Sequence, residues 1–166
     1  MRSVRLSAAA LLGGAALLAA GGMWLLAGAP LPGRSGDDAE VARDTGLDPA
    51  LVARGSAIYQ ANCARCHGER GEGQPNWKVS NPDGTVPPPP HDATGHTWHH
   101  ADGLLYRIVH DGGKIYESGG FKSQMPAWGD TLSPDEIRAV ITYLKTLWGP
   151  KERAIQAEAS RDDPFP

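Results

Sequence analysis

Two thiols and an imidazole stand together at Cys63-Ala64-Arg65-Cys66-His67, and these are the only cysteines in the 166-residue chain. On one helical turn, positions i, i+3 and i+4 share a face, so both sulfurs and the ring can meet one flat group. The spacing is that of covalent c-type haem attachment. Cys63 and Cys66 would form thioethers to two vinyl groups of one porphyrin, and His67 would reach the iron as proximal ligand. Three other readings use the same residues. A redox disulfide needs a βαβ pattern around Cys-x-x-Cys, and the flanking sequence has none. A zinc site completed by His91 and His96 would stretch the usual finger spacing of about 12–15 residues and leave His67 idle. A plain structural disulfide is the third.

A second axial ligand must come from elsewhere. Met1 and Met23 lie in the N-terminal segment, which leaves Met125, in Lys122-Ser123-Gln124-Met125-Pro126-Ala127-Trp128, as the available thioether. Methionine sulfur is a recognised axial partner of histidine, and Pro126 keeps Met125 extended. The competing reading is core filler. Between the two ligands, Gln74 to His100 carries Pro75, Pro82, Pro87 to Pro90, Trp77, Trp98 and the histidines His91, His96, His99 and His100, with no sustained period. A loop this long inside a small domain is usually functional or packed on a cofactor. Trp77 or Trp98 could donate N–H to haem propionates, against an ordinary packing role for each.

The elements that must position these groups are helices. Asp48 caps the first, Pro49 takes its first position, and Leu47 with Val52 forms a hydrophobic staple. Leu51, Val52, Gly55, Ile58 and Tyr59 follow at helical spacing. Gly55 costs up to about 1 kcal/mol against alanine there, so it is either a point of close approach or neutral. Gly68 ends the haem-motif helix. Asp102 or Ala101 opens another helix with Leu104, Leu105, Ile108 and Val109, stopped by Gly112 and Gly113. The clearest helix has Ser133 as cap, Pro134 next and Glu136 closing a capping box; Ile137, Val140, Ile141, Leu144, Leu147 and Trp148 form its apolar stripe, and Gly149-Pro150 stops it.

Arg2 and Arg5 precede an uncharged run to Gly33, an export segment that is either cleaved after Ala27-Gly28-Ala29 or kept as an anchor. The basic residues hold the N-terminus inside, so the remainder is exported. The chain thus divides into 1–29, signal peptide or membrane anchor; 30–46, flexible tether; 47–149, haem domain; and 150–166, polar tail, partly disordered. Of 16 basic and 19 acidic residues, Arg2 and Arg5 fall in the export segment, so the remainder carries about −5. That charge steers the domain toward basic patches and away from nucleic acid.

On Cys63 to His67, Met125-Pro126 and the amphipathic helix bearing Tyr143, the chain resembles the class I monohaem cytochromes c of exported bacterial type, over roughly Asp48 to Trp148. The resemblance implies an all-α fold, a small haem domain of about three to five helices with a long proline-rich loop. It implies one haem c per chain and a shared role for Gly55, Tyr59 and Tyr143 where the first and last helices cross. A lysine-rich face like that of the mitochondrial members is missing.

The expectation is therefore a periplasmic electron carrier with His67/Met125 ligation, not itself an enzyme but compatible with being a subunit of an oxidoreductase complex. It would pass electrons between redox proteins and be membrane-associated if the anchor stays. The alternative is a haem enzyme or a gas or peroxide sensor with an open distal site, served by the loop histidines. A third reading gives those histidines copper or zinc, with uptake lost on replacing His96 and His99.

Overall fold

The computed structural model describes residues 35–116 and 122–166. The expected signal or anchor over 1–29, and residues 30–34 of the expected tether, lie outside the described residues. Every α-helix that follows starts or stops where local chemistry dictates. The Asp48 carboxylate accepts from the amides of Ala50 at 2.9 Å and Leu51 at 3.5 Å, and Pro49 opens helix α2, Pro49–Asn62. A short helix α3, Ala64–His67, ends at Gly68, whose φ of +84° favours glycine. Helix α4, Asp102–Asp111, stops at Gly112 with φ +80°. Helix α5, Pro134–Leu144, opens with both halves of the Ser133/Glu136 capping box in place. Among the described residues there is no strand, only an isolated parallel bridge between Thr85 and Lys122.

The core is the crossing of α2 and α5. Val52 and Tyr59 on one side, and Ile137 and Ile141 on the other, are fully buried. Gly55 permits it: a Cβ there would collide with the Ala139 backbone carbonyl and come within 2.8 Å of Tyr143 Cβ. One turn along, the rings of Tyr59 and Tyr143 meet at 5.3 Å. Close approach, not neutrality, thus accounts for Gly55, and the expected trio of Gly55, Tyr59 and Tyr143 does share the crossing. Leu105 and Tyr106 of α4 complete the cluster.

Two segments differ from the sequence expectation. Within the stretch read as a tether lies a helix α1, Ser35–Thr45, with Asp37 and Asp38 in its first turn and Arg43 in its last, each complementing the helix dipole. It packs on α2 through the fully buried Ala42 and through Ser56 Oγ, which donates to Asp38 Oδ2 at 2.7 Å. Pro150, read as a stop, also starts helix α6, Pro150–Ala159. Buried Gln156 of α6 donates to Asp102 Oδ1 at 2.7 Å, and Lys145 Nζ pairs with the same carboxylate. The last residues return to α4: Gly103 N–H donates to the Asp163 carbonyl, Arg107 grips the Asp163 carboxylate with two hydrogen bonds, and Phe165 packs on the core. A polar composition hides such anchoring, because each contact is made by one residue and not by a periodic stripe. No helix among the described residues is long and apolar enough to cross a membrane.

Candidate functional site

The turn that carries the motif is held from both ends. Cys63 N–H donates to the Tyr59 carbonyl, and the amides of Cys66 and His67 both donate to the Cys63 carbonyl at 3.0 Å. Cys63 and Cys66 are free thiols, each partly exposed. Burial pushes the Cys63 thiol up to about 11, with the neighbouring Cys66 adding to the rise. Among the described residues no three histidine, cysteine or acidic side chains converge on a metal-sized point, so the zinc reading finds no site.

The loop after the motif folds back over His67. Gly73 N–H donates to the His67 carbonyl at 2.7 Å, Gln74 N–H to Pro88 and His91 N–H to Gly71. The proline run is thereby laid against the imidazole, and His67 Nδ1 sits 2.9 Å from the Pro89 carbonyl oxygen. A carbonyl only accepts, so Nδ1 carries the proton and Nε2 keeps its lone pair. Burial lowers the His67 pKa, a fall the Pro89 hydrogen bond partly offsets, so the ring is neutral at pH 7.

Beside this ring opens an apolar cavity. Its walls are Tyr59 and Cys63 from the motif side, Leu105, Ile108 and Val109 from α4, and Val140, Ile141 and Leu144 from α5, with His67, His91 and Thr97 at the loop. His91 stacks on His67 with ring centroids 4.0 Å apart, and its Nδ1 meets Thr97 Oγ1 at 2.9 Å. Burial, then His67, then His96, holds the His91 pKa well below the imidazole range. The Tyr59 hydroxyl donates to the Gly68 carbonyl, and burial raises its pKa. A larger cleft between α1 and α6 contains neither cysteine nor histidine, the donors a covalent haem needs.

Of the four residues singled out by sequence, Cys63 and His67 line the cavity and Cys66 stands one turn from Cys63. Met125 is not among the lining residues. Its backbone, however, is docked on the end of α4 that forms one wall: Gly113 N–H donates to the Met125 carbonyl, and Trp128 N–H donates to Val109. Gly112 is the cradle, since a Cβ there would lie 2.8 Å from Ala127 N and 3.0 Å from the Met125 carbonyl.

Whether a haem suits this site can be asked of the residues themselves. Two thiols and a neutral imidazole with a free Nε2 are the donor set a covalent haem requires. The Trp98 indole N–H is buried with no hydrogen-bond partner among the described residues, a cost natural proteins rarely leave standing. Trp98 belongs to the same 3-10 turn as cavity-lining Thr97, so a propionate oxygen is the missing acceptor that a haem would bring. The Pro89 carbonyl has no side-chain signature and was invisible in the sequence; the proline run was the one signal near it.

An all-helical domain, a Cys-x-x-Cys-His turn and an apolar slot over the histidine define a c-type cytochrome domain. A model of the cytochrome c family matches residues 52–148, and the chain belongs to that family, whose members bind haem covalently and transfer electrons. It is similar to the cbb3-type cytochrome c oxidase subunit FixP of Azorhizobium caulinodans, 32% identical over 105 residues that cover 61% of this chain and 29% of the relative. The cbb3-type cytochrome c oxidase subunit CcoP of Azospirillum sp. (strain B510) is 31% identical over 106 residues, 63% of this chain and 31% of the relative. FixP of Sinorhizobium medicae is 28% identical over 109 residues, covering 65% and 34%. The chain thus spans about a third of the length of the curated relatives it matches. No solved structure matches significantly.

Proposed function

We propose that this protein is an exported, periplasmic electron carrier with one haem c per chain, tethered through Cys63 and Cys66, with His67 as proximal and Met125 as distal iron ligand. When bound, the haem supplies a one-electron Fe(III)/Fe(II) couple. The chain's residues set its terms. Pro89 accepts the Nδ1–H of His67, which fixes the tautomer, orients the ring and makes Nε2 a better donor. The apolar walls from α4 and α5 exclude water and disfavour the extra charge of the oxidised state. A soft thioether from Met125 favours the reduced metal. Segment 1–29 would deliver the domain across the membrane or hold it there, and the haem domain would occupy 47–149. The relatives' names, subunits of cbb3-type oxidases, support a membrane-associated redox partner.

The observation that carries this reading is the His67–Pro89 contact, a neutral imidazole with its free nitrogen beside an apolar cavity. Absorption spectra of the full chain, made in cells that mature c-type cytochromes, test it. Sharp α and β bands on reduction, a thioether-type pyridine haemochrome and a weak near-infrared band lost in Met125→Ala are expected. A colourless protein, or pigment that acid acetone extracts, overturns the haem assignment. Rapid CO binding unchanged by Met125→Ala would replace the carrier with the open-site enzyme or sensor.

A further inference from the structure

We propose that His96 and His100 form a second, solvent-facing metal site for a divalent first-row ion, separate from the haem. Their ring centroids are 5.2 Å apart at an interplanar angle of 83°. Two imidazoles that share one tetrahedral ion at about 2.0–2.1 Å per Zn–N bond stand with their centroids about 5 Å apart, whatever their mutual tilt. The His96–His100 centroid spacing matches that value.

The spacing is built in. His96 and His100 flank the 3-10 turn Thr97–His99, closed by His99 N–H to His96 O at 3.0 Å and His100 N–H to Thr97 O at 3.1 Å. Buried Thr97 pins that turn to the loop through His91 Nδ1 at 2.9 Å. Trp77 stacks on the His96 ring, centroids 5.4 Å apart and 10° from parallel, which limits its rotamers before any ion arrives. His99, the partner the sequence suggested for His96, instead stacks on Trp98 at 3.7 Å. His96 is exposed and His100 half-buried, so an ion can enter from solvent. No third histidine, cysteine or carboxylate converges there among the described residues, so water completes the coordination and the site is exchangeable. Imidazole ligands suit Zn2+, Ni2+ and Cu2+, with Cu2+ the tightest of the series. Burial of His96, then His99, then Lys78, whose ammonium lies 4.9 Å from the Trp77 centroid, oppose positive charge there.

The probe is Zn2+ alone, which takes no part in redox chemistry with the haem iron. It is titrated into the haem-loaded full chain by equilibrium dialysis and counted by elemental analysis, with the visible spectrum as the check on fold. Wild type takes up about one Zn2+, and His96→Gln and His100→Gln each weaken binding about tenfold or more. Lys78→Gln keeps both imidazoles and tightens binding, which tests the site without touching its ligands. His99→Gln, which removes a neighbour that disfavours charge on His96, keeps at least the wild-type affinity, and His110→Gln, which alters the imidazole paired with Asp111, leaves it unchanged. The proposal is overturned if wild type binds no Zn2+, if both His96→Gln and His100→Gln keep full affinity, or if the loss falls on His110→Gln instead.

Discussion

At the residue scale the site is organised by one backbone acceptor and one unpaired donor. Pro89 O decides the His67 tautomer, and the Trp98 indole N–H waits for a partner. If a haem propionate accepts from Trp98, Trp98→Phe costs about 2–4 kcal/mol, combining lost burial with a hydrogen bond to a charged group. Were the N–H truly orphaned, its removal would relieve a desolvation cost of about 1–3 kcal/mol and leave stability unchanged or improved. Guanidinium unfolding of the haem-loaded variant gives the sign. His91 makes a second prediction. Its folded pKa is lowered by burial, so below about 6.5 the unfolded chain takes a proton that the folded chain refuses. Stability therefore falls as pH drops from 7 toward 5, by up to about 1.4 kcal/mol per pH unit for this group. The lowered carboxyls of Asp83, Glu136 and Asp163 act only at more acid pH, so this window isolates the imidazoles. Thermal unfolding at pH 7 and 5 should show the drop, and His91→Asn should reduce it, the remainder coming from the other lowered imidazoles, His67, His96 and His100; a drop as large in His91→Asn as in the parent would refute the buried neutral imidazole.

At the element scale, the sign of one substitution distinguishes packing from propensity. Gly55→Ala would gain about 1 kcal/mol if the glycine were an incidental helix residue. Because the added methyl meets the Ala139 backbone carbonyl, which cannot rotate away, overpacking of about 1–3 kcal/mol or more dominates and the denaturation midpoint falls. The same crossing marks how far the sequence could be read. Asp48, Pro49, Ser133, Pro134 and Glu136 announced the helix starts because capping is local chemistry between residues two or three apart. Gly55, Tyr59 and Tyr143 were visible through the family resemblance. Between His67 and Asp102 little was legible, since the contact that matters there is a main-chain oxygen 22 residues from its partner. Nor could sequence choose between Trp77 and Trp98: one stacks on His96, the other buries an N–H, and both sit in the same aperiodic loop.

At the scale of the molecule, the family match covers 52–148, and α1, α6 and the tail lie beyond it. Composition made both flanks look dispensable. In the fold they brace the haem domain from two sides, α1 against α2 and the tail against α4 and α5. The tail's contribution can be bounded. The Arg107–Asp163 pair is half-exposed and adds little. Phe165 is partly buried, which adds about 1–2 kcal/mol, and Arg138 also donates to the Pro166 carbonyl. Removing residues 161–166 should therefore lower stability by about 1–3 kcal/mol, a fall in Tm of about 3–10 °C for a domain of this size. The haem spectrum should be unchanged, because none of these residues lines the cavity. Phe165→Ala alone should account for most of the loss, whereas a tail that merely trails in solvent would give a truncated protein with the parent's Tm.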